Sequence, residues 1–318
     1  MRAPHLLAGL LALALVSPVW AQAPECSGYS GNAERVCSAG VDGTRAFHPV
    51  FGMLVSGGNP TMGTAASLGG VGHGSLTLRA NAIEVVFPDL AYTGGGGTVP
   101  SGDKLFVPAP LVEGALGLYN GMSGGLFALD LLGSAQLLPT DQIDNVTVDP
   151  DARRIGSIAL GLGYGARIGL LRGIGPLPHI SLSVMRRELP TMAYGNVPGG
   201  DEFGYAVDLN ATNVRLVASK QVAVLDLAAG LGWDKYTGNA IIQFRDPITT
   251  VLQPNVPVEL DNSRVLGFLN GGLGMGMVRL TGEVGYLGGK DQNLSTDFED
   301  FDTTKGKFFA GLGLRVGF

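Results

Sequence analysis

The sequence lacks long hydrophobic runs once its first two dozen residues are passed. The longest later stretch, residues 222–233, is interrupted by Asp226, whereas a membrane-spanning helix needs about 20 apolar residues in succession. A transmembrane helix in the body of the chain is therefore not expected. Yet 45% of the residues are hydrophobic and the mean hydropathy is +0.26, so the apolar side chains must follow another pattern.

Basic residues are also scarce. The chain has 21 Lys and Arg against 27 Asp and Glu, which gives a formal net charge of −6. No segment gathers the basic residues into a stripe. Because nucleic-acid binding needs a basic surface, no nucleic-acid partner is expected.

Cysteine and histidine are too few to suggest a metal site or a cofactor. There are two cysteines, Cys26 and Cys37, and four histidines in 318 residues. In an exported chain, two nearby cysteines predict one local disulfide. The acidic run at residues 297–302 lacks the spacing of a calcium-binding loop. We therefore predict no metal and no cofactor.

The first residues have the form of a secretory signal peptide. Arg2 supplies a positive start, residues 6–16 are apolar, and Ala21 and Ala23 offer cleavage after either one. The apolar run is too short to remain as a spanning helix. We predict a signal peptide at residues 1–21, with an uncleaved anchor as the alternative.

Glycine is abundant, at 51 of 318 residues, about twice the usual share. Much of it falls in segments that alternate between apolar and small residues. In residues 158–170 the even positions carry Ile, Leu, Tyr and Ala, and the odd positions are mostly Gly. Successive side chains of a strand point to opposite faces, so this pattern predicts one lipid-facing side and one crowded interior side. A soluble β-sandwich is the alternative, but its solvent face would favour polar residues over Gly.

Two segments change phase along their length. In residues 203–218 the apolar set begins at Phe203 and Tyr205 but ends at Leu216 and Ala218. One extra residue in a strand would shift the phase in this way, so we predict a β-bulge near residues 212–213. A similar slip is predicted near residues 82–83.

Short and long connections alternate along the chain, as in outer-membrane barrels, which have short periplasmic turns and longer outer loops. The pattern predicts an all-β fold, a closed antiparallel transmembrane β-barrel over residues 73–318. We expect about 12 strands, within about 10–14, because residues 237–258 fit either an extended outer hairpin or two further strands. Residues 22–72 are expected to form a plug in the lumen or a periplasmic segment, with a short helix at residues 32–39 and with Pro49 interrupting the apolar stretch at residues 44–55.

The last strand ends on Phe318, which shares one face with Val316, Leu314 and Leu312. This arrangement resembles the terminal signature of bacterial outer-membrane barrel proteins. The resemblance implies recognition by the barrel-assembly machinery. It also implies residence in the outer membrane of a diderm bacterium, in contact with its lipid.

Asn59 and Pro60 precede the first predicted strand in a glycine-rich stretch. In this respect the chain resembles the long-chain fatty-acid transporter family of outer-membrane barrels, whose N-terminal plug carries an Asn-Pro-Ala motif. Thr61 stands where that family has alanine. The resemblance implies a plug, but no residue of the family's ligand pocket has a counterpart in this sequence.

His73 and Ser75 are the candidate catalytic residues. Residues two apart on a strand point the same way, so the imidazole and the hydroxyl could hydrogen-bond. The pair resembles the His-x-Ser pair of outer-membrane phospholipase A and of lipid A deacylases, which implies a lipid-acting hydrolase. The ordinary alternative is a turn histidine beside a serine, and we expect no enzymatic activity.

Charged residues of both signs fall on the predicted interior faces of the strands. They are Arg79, Asp130, Arg167, Asp208, Asp226, Arg279, Glu283 and Arg315. Two interpretations remain open. The charges line a pore and set its selectivity, or they pair with one another and fill a closed interior.

From these features we expect a barrel that lets small, hydrophobic solutes cross the outer membrane passively, gated by its N-terminal segment. A non-transporting barrel with a structural or surface-interaction role is the first alternative. A lipid-acting hydrolase is the second.

Overall fold

A computed structural model describes residues 22–122, 126–139 and 146–318 of the chain. In that part, ten long strands and one long helix make up most of the regular structure. The helix, α1, spans Gly31–Ser56. The strands are β1 (Gly74–Pro88), β2 (Ser101–Tyr119), β3 (Ala128–Pro139), β4 (Ile158–Leu171), β5 (His179–Tyr194), β6 (Phe203–Val222), β7 (Leu225–Phe244), β8 (Val256–Met275), β9 (Val278–Leu287) and β10 (Lys307–Gly317). The predicted signal peptide lies outside the described residues.

The ten strands close into one antiparallel barrel. Each pairs with its neighbour along the chain, and β10 pairs back onto β1 from Gly317 opposite Ser75 to Phe309 opposite Ile83. Closure leaves no strand edge with unpaired backbone groups. Such an edge would be unstable in lipid, where no water can hydrogen-bond to it. The predicted all-β closed barrel is confirmed, with its strand number at the lower end of the expected range. Residues 237–258 belong to one long β7–β8 hairpin and add no further strands.

Short strands supplement the barrel at its outer end. Val146–Val148 pairs with the end of β5, and Arg154–Ile155 pairs with the start of β4. Thr98–Val99 and Asp297–Phe298 form a separate parallel pair between two long loops. Among the described residues, no helix is both long and apolar enough to span a membrane.

The two ends of the barrel differ in their connections. Residues 223–224 and 276–277 are tight turns at one end, whereas residues 89–100 and 288–306 are long loops at the other. By the usual asymmetry of these barrels, the short-turn end faces the periplasm. The last residue lies there too, because the backbone N–H of Gly74 donates to the carbonyl oxygen of Phe318 over 2.8 Å.

A ring of exposed aromatic side chains divides the barrel into two parts. It comprises Tyr164, Trp233, Tyr286 and Phe308, and such rings mark the interface of a membrane with water. We call the part between this ring and the periplasmic end the lower half. The part beyond the ring is the upper half.

In the lower half, apolar side chains point outward and polar ones point inward. Leu76, Leu78 and Leu312 are exposed on the outer surface, whereas Thr77 and Arg79 between them are buried on the lumen face. An outer surface of this kind is stable only against hydrocarbon, because exposed apolar area in water is costly. The lower half is therefore the membrane-spanning part.

In the upper half the polarity is reversed. On β6, Phe203, Tyr205 and Val207 are buried inside the barrel, while Asp208 and Asn210 point outward. The same odd-numbered positions of β6 face inward along its whole length. This part of the barrel meets water outside and a hydrophobic core inside, as a soluble protein does.

The two predicted bulges are wrong, and this reversal is the physical reason. The strand pairing runs without a shift through residues 212–213 of β6 and through residues 82–83 of β1. The sequence pattern changes phase because the solvent outside the barrel changes, while the backbone pleat continues. The register shifts among the described strands lie elsewhere, at residues 86–88, 117–119, 169–171 and 189–192.

Helix α1 fills the upper half of the lumen. Tyr29, just before the helix, packs edge-on against Phe244 at the outer end of β7, with ring centroids 4.8 Å apart. The C-terminal end of the helix reaches the lumen face of β1, where Asn81 donates to the carbonyl oxygen of Leu54. The helix is buried on nearly all sides, including its polar residues Asp42, Thr44 and His48.

The predicted disulfide is confirmed, because Cys26 and Cys37 are bonded at the start of this helix. The sequence suggested only a short helix at residues 32–39, with Pro49 as an interruption. The structure continues the helix through Pro49. Proline removes one backbone donor from a helix interior, and here the surrounding core holds the helix in place.

Candidate functional site

The lower lumen is occupied by residues 57–73, which we call the plug segment. It runs from the end of α1 to the first residue of β1. Gly57 has a φ of +63°, and a Cβ atom there would collide with the guanidinium of Arg79. Only glycine fits such a left-handed and crowded position. The segment can therefore lie flat against the charged barrel wall.

The C-terminal end of α1 is bound by arginines of the wall. Arg215 donates from Nε to the carbonyl oxygen of Gly58 at 2.7 Å and from Nη2 to that of Gly57 at 2.8 Å. Arg79 donates from Nη1 to the carbonyl oxygen of Asn59 at 2.8 Å. These carbonyls belong to the residues that directly follow the helix, and they accept charge-assisted hydrogen bonds from the guanidinium groups.

Glu283 on β9 also binds the plug segment. Its Oε1 accepts from the N–H of Gly58 at 2.7 Å, and its Oε2 accepts from the N–H of Asn59 at 2.8 Å. Arg79 and Asn270 donate to the same carboxylate at 3.0 and 2.6 Å. A carboxylate that accepts several charged and backbone donors is held firmly in place.

The predicted plug motif lies at the centre of this contact. The Oδ1 of Asn59 accepts from the N–H of Thr61 at 3.1 Å, and its Nδ2 donates to the carbonyl oxygen of Thr64 at 3.1 Å. Pro60 lies between them, so the motif forms a tight turn closed by its own side chain. Arg167 of β4 donates to the Thr61 hydroxyl.

Below the motif, the plug segment is bound to the wall again. Asp130 forms an ion pair with Arg167 at 2.7 Å and also accepts from the N–H of Leu68 at 3.2 Å. The N–H of Ala65 donates to the Ser219 hydroxyl at 2.7 Å. The plug is thus fastened mainly by hydrogen bonds and ion pairs, in contrast to the apolar packing of α1.

The wall carries further buried ion pairs that the sequence analysis missed. Glu113 pairs with Arg79 at 3.2 Å and with Arg187 at 2.9 Å. Arg215 pairs with Asp234, to which Tyr236 also donates at 2.6 Å. Continuing the alternation of β7 inward from Asp226 would have predicted Asp234. No comparable pattern pointed to Glu113.

Seven of the eight predicted interior charges lie on the lumen face of the described structure. They are Arg79, Asp130, Arg167, Asp226, Arg279, Glu283 and Arg315. Asp208 is the exception, and its prediction is wrong. It lies on the outer surface of β6, where it accepts from the N–H of Asn239 at 3.0 Å, because the upper half has its polar side outside.

The two candidate catalytic residues are not brought together. His73 is exposed in the turn before β1, and Ser75 points into the lumen. The Ser75 hydroxyl faces Arg315 at 3.4 Å, and no hydrogen bond within the described residues joins it to His73. A nucleophile and its base need such a contact, so this geometry does not assemble a hydrolase site.

The fold and the site now give a consistent picture. A closed antiparallel barrel carries an apolar belt, an aromatic ring, a polar lumen and a C-terminal Phe318 beside its first strand. The chain is an outer-membrane β-barrel. Its lumen is closed by its own N-terminal segment. Among the described residues, no group of His, Cys, Asp and Glu side chains could hold a metal ion.

No protein family model and no curated protein matches the sequence. Among solved structures, the barrel is similar to the outer membrane protease OmpT from Escherichia coli, at 11% identity over 77% of this chain and 96% of that one, with a TM-score of 0.38. The translocator domain of the autotransporter NalP from Neisseria meningitidis matches at 11% identity over 76% of this chain and 88% of that one, with a TM-score of 0.34. A FadL homologue from Pseudomonas aeruginosa matches at 10% identity over 77% of this chain and 90% of that one, with a TM-score of 0.29. Likenesses this distant give no information about activity.

Proposed function

We propose that this barrel lets small solutes cross the outer membrane passively when its N-terminal segment is displaced. The process involves no covalent chemistry. The observation that carries the proposal is that a separate segment fills the lower lumen. Small barrels usually fill their interior with the side chains of their own strands. Here Gly169 and Gly311 on the wall lie against Ser67 and Met62 of the plug segment.

The type of contact also supports a movable plug. The plug segment is held by hydrogen bonds to Glu283, Arg215 and Asp130. Such bonds can be replaced by hydrogen bonds to water when the segment moves, and the net contribution of a hydrogen bond to a charged group is about 1.5–3 kcal/mol. The apolar core around α1 is harder to open. Movement is therefore expected to begin in the plug segment.

A polar pocket beside α1 is the candidate outer entrance in this proposal. A pocket of about 220 Å³ opens between the helix and β8, lined in part by Arg45, His48, Asp261 and Lys290. Its lining is polar, and below it lie first the apolar wall of the upper half and then the charged wall of the lower half. This sequence of linings favours small solutes with both apolar and polar parts over pure hydrocarbons.

A disulfide lock tests the proposal. A Cβ atom built on Gly169 lies 3.5 Å from the Cβ of Ser67, which is within the range of a disulfide. The double variant Ser67→Cys/Gly169→Cys should lock the plug segment to the wall. We expect swelling of proteoliposomes in arabinose with the wild type, little or none with the oxidised lock, and recovery on reduction. The two single-cysteine variants, with and without reductant, control for the native disulfide.

Failure of transport would be equally informative. If the wild type and the reduced lock both fail to support swelling while heat-modifiable gel mobility shows folded barrels, passive transport is overturned. The non-transporting surface-interaction barrel would then be preferred. One observation favours that second candidate: the upper half displays paired polar side chains to the outside, such as Arg186 with Glu188 and Lys235 with Asp261.

We further infer that residues 1–21 direct export and are cleaved, and that Phe318 is read by the barrel-assembly machinery. N-terminal sequencing of protein purified from outer membranes should begin at residue 22 or 24. Replacement Phe318→Ala should lower the amount of heat-modifiable barrel in the outer membrane. A start at residue 1, or unchanged assembly of the variant, would contradict these inferences.

A further inference from the structure

The arginines of the lower lumen outnumber its carboxylates in the described residues. Five of them have a carboxylate partner within ion-pairing distance: Arg79, Arg167, Arg187, Arg215 and Arg279. Those partners are Glu113, Asp130, Asp226, Asp234 and Glu283. Arg315 on β10 is the arginine for which no carboxylate partner is found. Arg264, higher in the barrel, donates to the carbonyl oxygen of Lys290.

Arg315 is nonetheless buried, with 6% of its surface exposed. Its Nη2 has a single weak contact, 3.4 Å to the Ser75 hydroxyl, and its Nη1 has no hydrogen-bond partner. A buried charge without a partner is strongly unfavourable. The barrel therefore carries a guanidinium whose charge its own residues do not balance.

The neighbours of Arg315 increase the local positive charge. Arg279 is directly opposite on β9 and also faces the lumen, and like charges in such a cross-strand pair repel each other. The nearby carboxylates each face another arginine, since Asp226 pairs with Arg279 at 3.1 Å and Asp130 pairs with Arg167 at 2.7 Å. The Oδ2 of Asp226 makes this ion contact without a hydrogen bond, and two carboxylates are thus set against three arginines. Thr77 is opposite Arg315 on β1, buried on the same face.

These groups lie near the periplasmic end of the lumen. The Arg279 side chain is 34% exposed, so the cluster is open to the periplasm below the plug segment. Two guanidinium groups beside two hydroxyls match the chemistry of a small oxyanion, which accepts charge-assisted hydrogen bonds from such donors.

We propose that Arg315 and Arg279, with Ser75 and Thr77, form a binding site for a small oxyanion at the periplasmic mouth of the barrel. Inorganic phosphate and the carboxylate of a solute share this chemistry. The site does not depend on solute transport, because the unbalanced charge is present in the closed barrel.

Two variants test the site. In Arg315→Met the unbalanced charge is removed, so without phosphate this variant should unfold at a temperature no lower than the wild type. In Arg167→Met the carboxylate of Asp130 loses its partner, so this variant should unfold at a clearly lower temperature. The outward-facing Arg186→Met, whose ion pair is exposed, is the control for loss of an arginine.

Binding is measured by titration calorimetry of the refolded protein with inorganic phosphate, and separately with acetate, at constant ionic strength. We expect saturable heat with the wild type and with Arg186→Met, and a loss of at least tenfold in affinity with Arg315→Met. Stronger binding of phosphate would indicate a free inorganic anion, and stronger binding of acetate would indicate a solute carboxylate. Absence of saturable binding, equal binding by Arg315→Met, or failure of that variant to fold would overturn the proposal.

Discussion

The lower and upper halves of this barrel are built from the same strands, yet their polarity is opposite. Below the aromatic ring, Leu78 faces outward and Arg79 faces inward. Above it, Asp208 faces outward and Val207 faces inward. The pleat of the strand decides which residues share a face. The solvent around each half decides which face is apolar.

The plug follows the same division. In the upper half, the apolar helix α1 packs against apolar strand residues such as Phe203 and Ile242. In the lower half, the glycine-rich plug segment binds charged residues such as Glu283 and Arg215. Each half of the lumen is therefore filled by a segment of matching chemistry, and the predictions below test this match.

The largest expected effect is in the charged lower half. Glu283→Ala leaves Arg79 without one of its carboxylates and leaves two backbone N–H groups of the plug without an acceptor. We expect a loss of about 3–5 kcal/mol in the free energy of unfolding, measured by urea unfolding in detergent micelles. Glu188→Ala, which breaks an exposed pair, should cost less than about 1 kcal/mol. Equal losses of unfolding free energy in the two variants would show that the buried ion pairs of the lower half do not hold the plug segment.

The upper half offers a matched pair of adjacent isoleucines. Ile242 is fully buried against α1, and Ile241 is 46% exposed on the outer surface. Ile242→Ala should cost about 2–5 kcal/mol, and Ile241→Ala should cost under about 1 kcal/mol. The same unfolding experiment measures both. A larger cost for Ile241→Ala would mean that this outer surface also meets an apolar environment.

A charge scan along β7 locates the boundary between the halves. Leu231 and Asn239 both point outward on this strand, on either side of Trp233. Leu231→Arg should cost more than about 1 kcal/mol, because it places a charge inside the membrane close to its interface. Asn239→Arg should change the free energy of unfolding by about 0.5 kcal/mol or less. Similar costs at both positions would place the membrane boundary elsewhere.

The sequence predicted the closed barrel well because lipid-facing strands have a strong period of two. The pattern at residues 158–170 became β4, and Cys26 was correctly paired with Cys37. The reversal in the upper half was misread as two bulges, because alternation alone does not reveal what lies outside a strand. Helix α1 was predicted too short because Pro49 and its glycines disfavour a helix. Its stability comes from packing that the local sequence does not display.

The pairing of the buried charges could not be predicted from the local sequence either. Arg79 and Arg167 were placed on the lumen face by alternation, but their partners come from strands and loops distant in sequence. Glu113 with Arg187, or Glu283 with the N–H groups of the plug, could not be paired without the barrel geometry. Arg315 follows the same alternation as the paired arginines, and only the barrel geometry shows that it has no carboxylate partner among the described residues.

The last expected effect concerns a histidine of the upper half and develops only as the pH is lowered. Burial lowers the pKa of His48 from 6.5 to about 4, although a contact with the backbone of Asp208 acts to raise it. The unfolded chain therefore binds this proton below about pH 6.5, whereas the folded protein binds it only below about pH 4. Stability should fall as pH decreases through this window, by at most about 1.4 kcal/mol per pH unit. In His48→Phe, unfolding measured from pH 7 to 4 should lose that part of the slope. An unchanged slope would show that His48 is not buried in neutral form.

The reversal of polarity is tested most directly by nitroxide accessibility along β7. Single cysteines at the outward positions 227, 231, 239 and 243 carry the spin label, and the native cysteines remain bonded to each other. In liposomes, we expect labels at 227 and 231 to collide with oxygen and not with a water-soluble nickel reagent. Labels at 239 and 243 should show the opposite. Oxygen accessibility that continues through 239 and 243 would contradict the division of the barrel into a membrane half and a water half.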